Sequence, residues 1–142
     1  MSIENRLEDA TILWQMGRRE GALLNVLVAV AATAQITHPC VRGDRKRFVA
    51  FLRSNHSWRI SIEYRGQQVD VDELLYKWLR CELVHKAEIP VDIRIDDGFA
   101  DPDTCSIRAG GSPEYEVLLS PGWYDFLVQS VKNAQRSEPD SD

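Results

Sequence analysis

The sequence has little of what would tie it to a membrane, a secretory route or a metal. It contains three cysteines, Cys40, Cys81 and Cys105. They are odd in number and far apart, and no C-x-x-C pair exists. Reduced thiols are expected rather than a disulfide framework, and the spacing argues against a finger-type zinc site. No metal and no cofactor is expected. No apolar stretch reaches the roughly 18 residues of a membrane span. The longest, residues 22–36, is interrupted by Asn25, Thr33 and Gln35 and reads as a buried helix. Met1 is followed by Ser2, Ile3, Glu4 and Asn5, without the apolar segment of a leader peptide. A cytoplasmic location away from any membrane is therefore expected. An excess of basic charge is also lacking: 17 Lys and Arg stand against 22 Asp and Glu, a net charge of −5. A broad electrostatic hold on nucleic acid needs the opposite sign, although a small local basic site stays open. The acidic loop 97–104 lacks the D-x-[DN]-x-[DN]-G calcium spacing and reads as a turn.

The remainder is ordinary for a globular chain of 142 residues, with 44% apolar and 27% charged side chains. That length supports one domain with a real core. A single domain over residues 1–135 is expected, followed by a disordered acidic tail over 136–142. Ile3, Leu7, Ala10 and Trp14 recur at helical spacing, and Gly17 marks where the first helix ends or bends. A second helix, about 19–37, is rich in Ala, Leu and Val and stops at His38-Pro39. Asp44 is expected to cap a third helix through Asn55. Arg45, Lys46 and Arg47 in its first turn read as a solvated face, with phosphate contact as the alternative.

Beyond Trp58 the period changes to two, with Ile60, Ile62 and Tyr64 before Gly66, then Val69 and Val71. This predicts a hairpin. Further strands are expected over 91–95, 105–109 and 115–119, the last two forming a small antiparallel unit through Gly110-Gly111-Ser112-Pro113. Ser120-Pro121 has the composition of an N-cap and first helical residue for a final helix carrying Trp123, Phe126, Leu127 and Val131.

The stretch LLYKWLRCELVHKA, residues 74–87, organises the rest. It reads as one helix capped by Asp72 and blocked by Pro90. Leu74, Leu75, Trp78 and Leu79 fill one arc, while Tyr76, Leu83 and Val84 make the opposite side apolar as well. Such a helix is expected to be central and packed. Arg80 and His85 are then polar groups on an element that favours burial, and burying them costs free energy unless each finds a partner.

Arg80-Cys81-Glu82-Leu83-Val84-His85 fits the pattern R-x-x-x-x-H. With Leu75-Tyr76 before it and Lys86-Ala87 after it, the stretch resembles the motif of the HEPN superfamily, small α-helical domains that include many metal-independent endoribonucleases. The helix order over about residues 3–87 is similar too, and the motif stretch is its specific part. The position after the arginine, commonly Asn, Asp or His in that family, is Cys81 here. The resemblance implies a mainly α fold, a HEPN-like helical bundle with short β-hairpin additions. It implies Arg80 and His85 as catalytic residues on single-stranded RNA, with Lys86 and Lys77 of the same helix as substrate-binding residues.

The chemistry can be stated from the residues. RNA carries its own nucleophile, the 2′-OH, so catalysis requires only a proton acceptor, a proton donor and charge neutralisation at the phosphate. Histidine, with an unperturbed pKa of about 6.5, supplies both protonation states near neutrality. Arginine holds a phosphate through two N–H donors. Residues five apart on an ideal helix point about 140° apart, so Arg80 and His85 of one chain do not converge. Two motifs facing each other across a two-fold axis do better, and the resemblance implies such a homodimer.

The expected function is a HEPN-type endoribonuclease, a toxin or defence effector, with a regulatory or antitoxin protein as partner. The alternative is a non-catalytic homodimeric interaction module of the same fold. A ligand pocket floored by Trp14, Trp78 and Trp123 is a third reading. In the bland account, His85 sits at the negative end of a helix dipole, Glu82 and Lys86 are an ordinary i, i+4 pair, and Arg80 pairs with a carboxylate such as Glu73.

Overall fold

The computed structural model describes residues 2–110 and 116–137. The chain is mainly helical with small sheets, as expected. It divides into two compact units. One holds the residues up to Ser57 together with those from Leu127 onward, and the other is Trp58–Phe126.

The first unit opens with α1 (Ser2–Gln15), α2 (Arg19–Thr37) and α3 (Asp44–Arg53). α1 buries Leu7 and Ala10, while Ile3 and Trp14 stay half-buried. Gly17 ends it rather than bending it. At φ +78° its left-handed backbone lets the N–H groups of Gly17 and Arg18 return to the carbonyls of Trp14 and Leu13 at 3.0 and 2.8 Å. α2 packs against α1 and α3 and buries eight residues, from Ala22 to Ala34. By length and composition alone it also satisfies the requirement of a membrane span. Thr33, polar and 3% exposed, is satisfied by donating to the Ala29 carbonyl at 2.7 Å.

α3 differs from expectation at both ends. The cap position is Gly43 at φ +92°, without a side-chain capping bond, and Asp44 is the first helical residue. A glycine takes that backbone conformation without strain, and Asp44 still places a carboxylate in the first turn. Arg47 is engaged locally. Its Nε donates to the Val41 carbonyl at 2.6 Å, and Nη1 lies 3.9 Å from Asp44. The helix stops at Arg53, where Asn55 turns its side-chain amide back onto the Phe51 carbonyl at 2.9 Å.

The second unit begins with an antiparallel hairpin, β1 (Ser61–Tyr64) and β2 (Gln67–Asp70), in which Tyr64 faces Gln67. Arg65 and Gly66 form the two-residue turn, with φ of +52° and +81°. Positive φ at both positions matches the right-handed twist of the strands. A continuous helical run over residues 71–86 follows, described below. The second sheet contains β3 (Ile93–Ile95), β4 (Ile107–Ala109) and β5 (Val117–Leu119), in the order β3-β5-β4. β4 and β5 pair antiparallel as expected, but β5 also takes β3 as a parallel neighbour. β5 is buried at all three positions, so it occupies the centre that sequence order does not give it. Val91, expected in the strand, is 95% exposed, and pairing starts at Ile93 opposite Val117. Residues 111–115, with part of the expected connecting turn and Tyr115, and residues 138–142 of the expected tail lie outside the described residues.

α6 (Gly122–Ser137) starts after Ser120-Pro121. Ser120 does not serve as the expected side-chain cap. Its hydroxyl, fully buried, accepts from the Ser106 N–H at 2.8 Å and donates to the Thr104 carbonyl. Trp123 Nε1 donates to the Ser106 carbonyl at 2.9 Å, so two side chains at the helix start tie down the segment that leads into β4. Trp58 lies edge-on to Trp123 at 5.7 Å and tilted against Phe126 at 5.1 Å.

Candidate functional site

The candidate residues stand on three successive segments: α4 (Val71–Leu74), a π-helical stretch Leu75–Arg80, and α5 (Cys81–Lys86). The run begins earlier than expected. Asp70 holds the cap position with extended backbone and no side-chain capping bond, whereas Asp72 lies within the first turn, 5% exposed. The reason is that the hairpin leads directly into the helix. The Val71 N–H is still held by the Ile60 carbonyl at 2.9 Å, so no linker separates strand from helix.

The π-helical stretch was not legible as a motif, and it sets which faces are buried. A step of four residues on an α-helix drifts by about 40°. Bonding five residues apart, as from the Cys81 N–H to the Tyr76 carbonyl, reduces the rotation per residue and offsets that drift. Leu75, Leu79 and Leu83 consequently keep one buried stripe, at 0%, 1% and 3% exposure. Val84, His85 and Lys86 fall to solvent instead. The helix is therefore central over its first two segments but exposed over its last turn, contrary to the expectation of burial throughout. Ala87, at φ +64°, closes it, with its N–H on the Leu83 carbonyl at 3.1 Å.

Arg80 is half-buried. Its guanidinium lies 5.6 Å from the centre of the Tyr76 ring, and Nη1 approaches the Cys81 sulfur at 3.9 Å. Nε is buried and has no hydrogen-bond partner among the described residues. Among the described residues no carboxylate pairs with Arg80, so the expected structural pairing with Glu73 is not formed. His85 is exposed, and no hydrogen bond or ion pair joins it to Arg80. Of the two lysines, Lys77 lies 5.0 Å over the Trp78 ring, and Lys86 pairs with Glu82 at 3.2 Å. The i, i+4 pair expected of Glu82 and Lys86 is thus formed, and with Lys86 70% exposed it is worth a few tenths of a kcal/mol at most, about 0.3–0.5. Of the three tryptophans expected to floor a pocket, Trp123 is 1% exposed and offers no surface to a ligand. No group of three His, Cys, Asp or Glu suited to a metal occurs among the described residues.

A second set of residues escaped the sequence reading. Asp92 receives both Nε and Nη2 of Arg65, at 2.9 and 3.1 Å, and the Tyr64 hydroxyl at 2.7 Å. The Arg65 guanidinium also lies 5.0 Å from the Tyr64 ring and 4.9 Å from the Trp78 ring. These contacts hold an arginine in a left-handed conformation that it takes at some cost. Burial raises the Tyr64 hydroxyl above its ordinary range, and the Asp92 hydrogen bond adds to this. Burial acts upward on Asp92 as well, but the hydrogen bonds from Arg65 and Tyr64 outweigh it and hold the carboxyl below its ordinary value. Because the folded value is depressed, Asp92 contributes stability above about pH 4 that is lost as pH falls through its folded pKa. Asp92→Asn is expected to cost about 1–2 kcal/mol at pH 7, with the difference from the native protein closing as pH falls below about 4. Urea unfolding across that range checks both the size and the sign.

The arrangement as a whole presents an exposed imidazole, a half-buried guanidinium with no carboxylate, and no metal-ligand cluster among the described residues, all on one helical run. Compared with known proteins, the chain matches no family model, no curated sequence and no solved structure.

Proposed function

We propose that this chain is a metal-independent endoribonuclease of the HEPN type, acting as a homodimer on single-stranded RNA in the cytoplasm, as a toxin or defence effector controlled by a regulatory protein. The observation that carries the reading is Arg80. Its guanidinium is partly desolvated and uncompensated by any carboxylate among the described residues, which leaves a strong anion-binding group on the helix that also carries His85. π-helical turns inside α-helices occur often at functional sites, and here one ends on Arg80.

In this mechanism Arg80 holds the scissile phosphate and offsets the charge that develops on its oxygens. His85 takes the proton of the 2′-OH or delivers one to the departing 5′-oxygen, and water exchanges the other proton. The 2′-oxygen bonds to phosphorus as the bond to the 5′-oxygen breaks, giving a 2′,3′-cyclic phosphate and a 5′-hydroxyl. Lys77 and Lys86 contact flanking phosphates. Because Arg80 and His85 of one chain do not meet, the working site combines Arg80 of one protomer with His85 of its partner.

The test is incubation of the purified protein with end-labelled single-stranded RNA in EDTA, beside Arg80→Lys. Cleavage that survives EDTA and leaves cyclic ends supports the reading. Arg80→Lys is expected to lower the rate by roughly 10²-fold, since a lysine keeps the charge but loses the two-donor fork. Absence of cleavage favours a second reading, the non-catalytic dimeric module. Its supporting observation is Cys81, a weak acceptor next to Arg80 in place of the polar side chain common in the family.

A further inference from the structure

The second unit contains a small cavity of about 160 Å³ lined by Arg65, Glu82, Lys86, Glu88 and residues 89–91. We propose that this cavity takes a single guanine base of the RNA, an inference that rests on the ribonuclease reading above. Sites for drug-sized ligands begin near roughly 300 Å³. A depression of half that size, open to solvent on one side, suits one planar base with the sugar and phosphate outside it.

Its wall offers three chemistries. Arg65 is a fixed cation, because Asp92 engages Nε and Nη2 and leaves Nη1 for another acceptor. Lys86, held by Glu82 and assigned to a flanking phosphate, borders the same wall, so Arg65 is the donor left for a base. Glu88 supplies a carboxylate with no ion pair among the described residues, whereas Glu82 is already engaged by Lys86. Ile89, Pro90 and Val91 supply an apolar surface, and Val91 is 95% exposed without a covering group.

Guanine matches this set. Its O6 and N7 are adjacent acceptors of the kind that Arg and Lys bind. Its N1–H and N2–H₂ are adjacent donors, which a carboxylate accepts together. Adenine has no such donor pair, cytosine has a single amino group, and uracil has one N–H between two carbonyls. Bases of single-stranded RNA are unstacked and are read on these edges while a ring face rests on the protein. Glu82 and Lys86 of the lining stand on α5, the segment that also carries His85, so the proposal places the bound base on a nucleotide near the scissile phosphate. Cleavage is therefore expected beside guanine.

Calorimetric titration with 5′-GMP, 5′-AMP, 5′-CMP and 5′-UMP tests the pocket. GMP is expected to bind at least roughly tenfold more tightly than the other three, and Glu88→Gln, which replaces one acceptor by a donor, is expected to remove that preference. Equal affinities, undetectable binding of all four, or a GMP preference unchanged in Glu88→Gln overturns the proposal. Mapping cut sites in an RNA of mixed sequence separates this inference from the reading beneath it. EDTA-resistant cleavage without base preference retains the ribonuclease and removes the guanine pocket. Selective GMP binding without cleavage retains the pocket and removes the ribonuclease.

Discussion

Replacing His85 by alanine is expected to lower RNA cleavage by about 10²–10⁴-fold, the range spanned by a single proton-transfer group. The fold should not change, because His85 is exposed and makes no hydrogen bond or ion pair among the described residues. Thermal unfolding of the variant is therefore expected to match the native protein within about 0.5 kcal/mol. A large loss of activity at unchanged stability separates a chemical role from a structural one. Activity equal to the native protein removes His85 from the mechanism and with it the ribonuclease reading. The angular argument adds a second readout. Arg80→Ala and His85→Ala, each inactive alone, are expected to recover activity on mixing, to about a quarter of the native rate if protomers exchange freely. Half of the dimers are then mixed, and each mixed dimer has one intact site of two. No recovery after exchange places both residues of a working site on one chain.

The second large effect is on stability. Gly122→Ala is expected to cost more than about 3 kcal/mol, because a Cβ there overlaps the carbonyl oxygen of Thr104 and lies 2.5 Å from its carbonyl carbon. The obstacle is backbone, which cannot rotate aside as a flexible side chain does. Thr104 is also held where it is, since its carbonyl accepts from the buried Ser120 hydroxyl while Trp123 and Ser120 both bind Ser106. Relieving the overlap breaks a set of buried hydrogen bonds. Gly98→Ala is the control. A Cβ at Gly98 meets only the Asp96 side chain at 3.4 Å, and its expected cost is below about 1 kcal/mol. Urea midpoints for the two variants check the contrast. Equal, small effects mean that the Thr104 segment moves more easily than its hydrogen bonds indicate.

Several elements were legible in the chain because their causes are local. The hairpin turn at Gly66, the extent of α2 and the antiparallel partnership of β4 and β5 follow from period and turn chemistry. The boundaries that moved did so for tertiary reasons. Asp44 and Asp72 each have the composition of a cap. Yet Gly43 takes the cap conformation before α3, and the hairpin bond to Val71 starts the central run before Asp72 is reached. Ser120 has the composition of a cap as well, but its hydroxyl is engaged by Thr104 and Ser106. Composition reports what a side chain is able to do, and burial determines which of those bonds is most costly to leave unmade.

The candidate site divides in the same way. The sequence alone determined that Arg80 and His85 share one helix five residues apart, that they diverge in angle, and that the chain offers no metal-ligand cluster of finger spacing. These follow from helix geometry and residue identity. Only the tertiary structure decided that His85 lies in solvent while Arg80 is half-buried with no carboxylate partner among the described residues, because the π-helical stretch keeps Leu75, Leu79 and Leu83 inward and turns the last segment out. It also decided the meeting of Arg65 with Asp92, 27 positions apart. No local period encodes that contact. It exists because the strained hairpin turn and the chain just before β3 are brought together by packing, and that packing forms one wall of the cavity assigned to guanine.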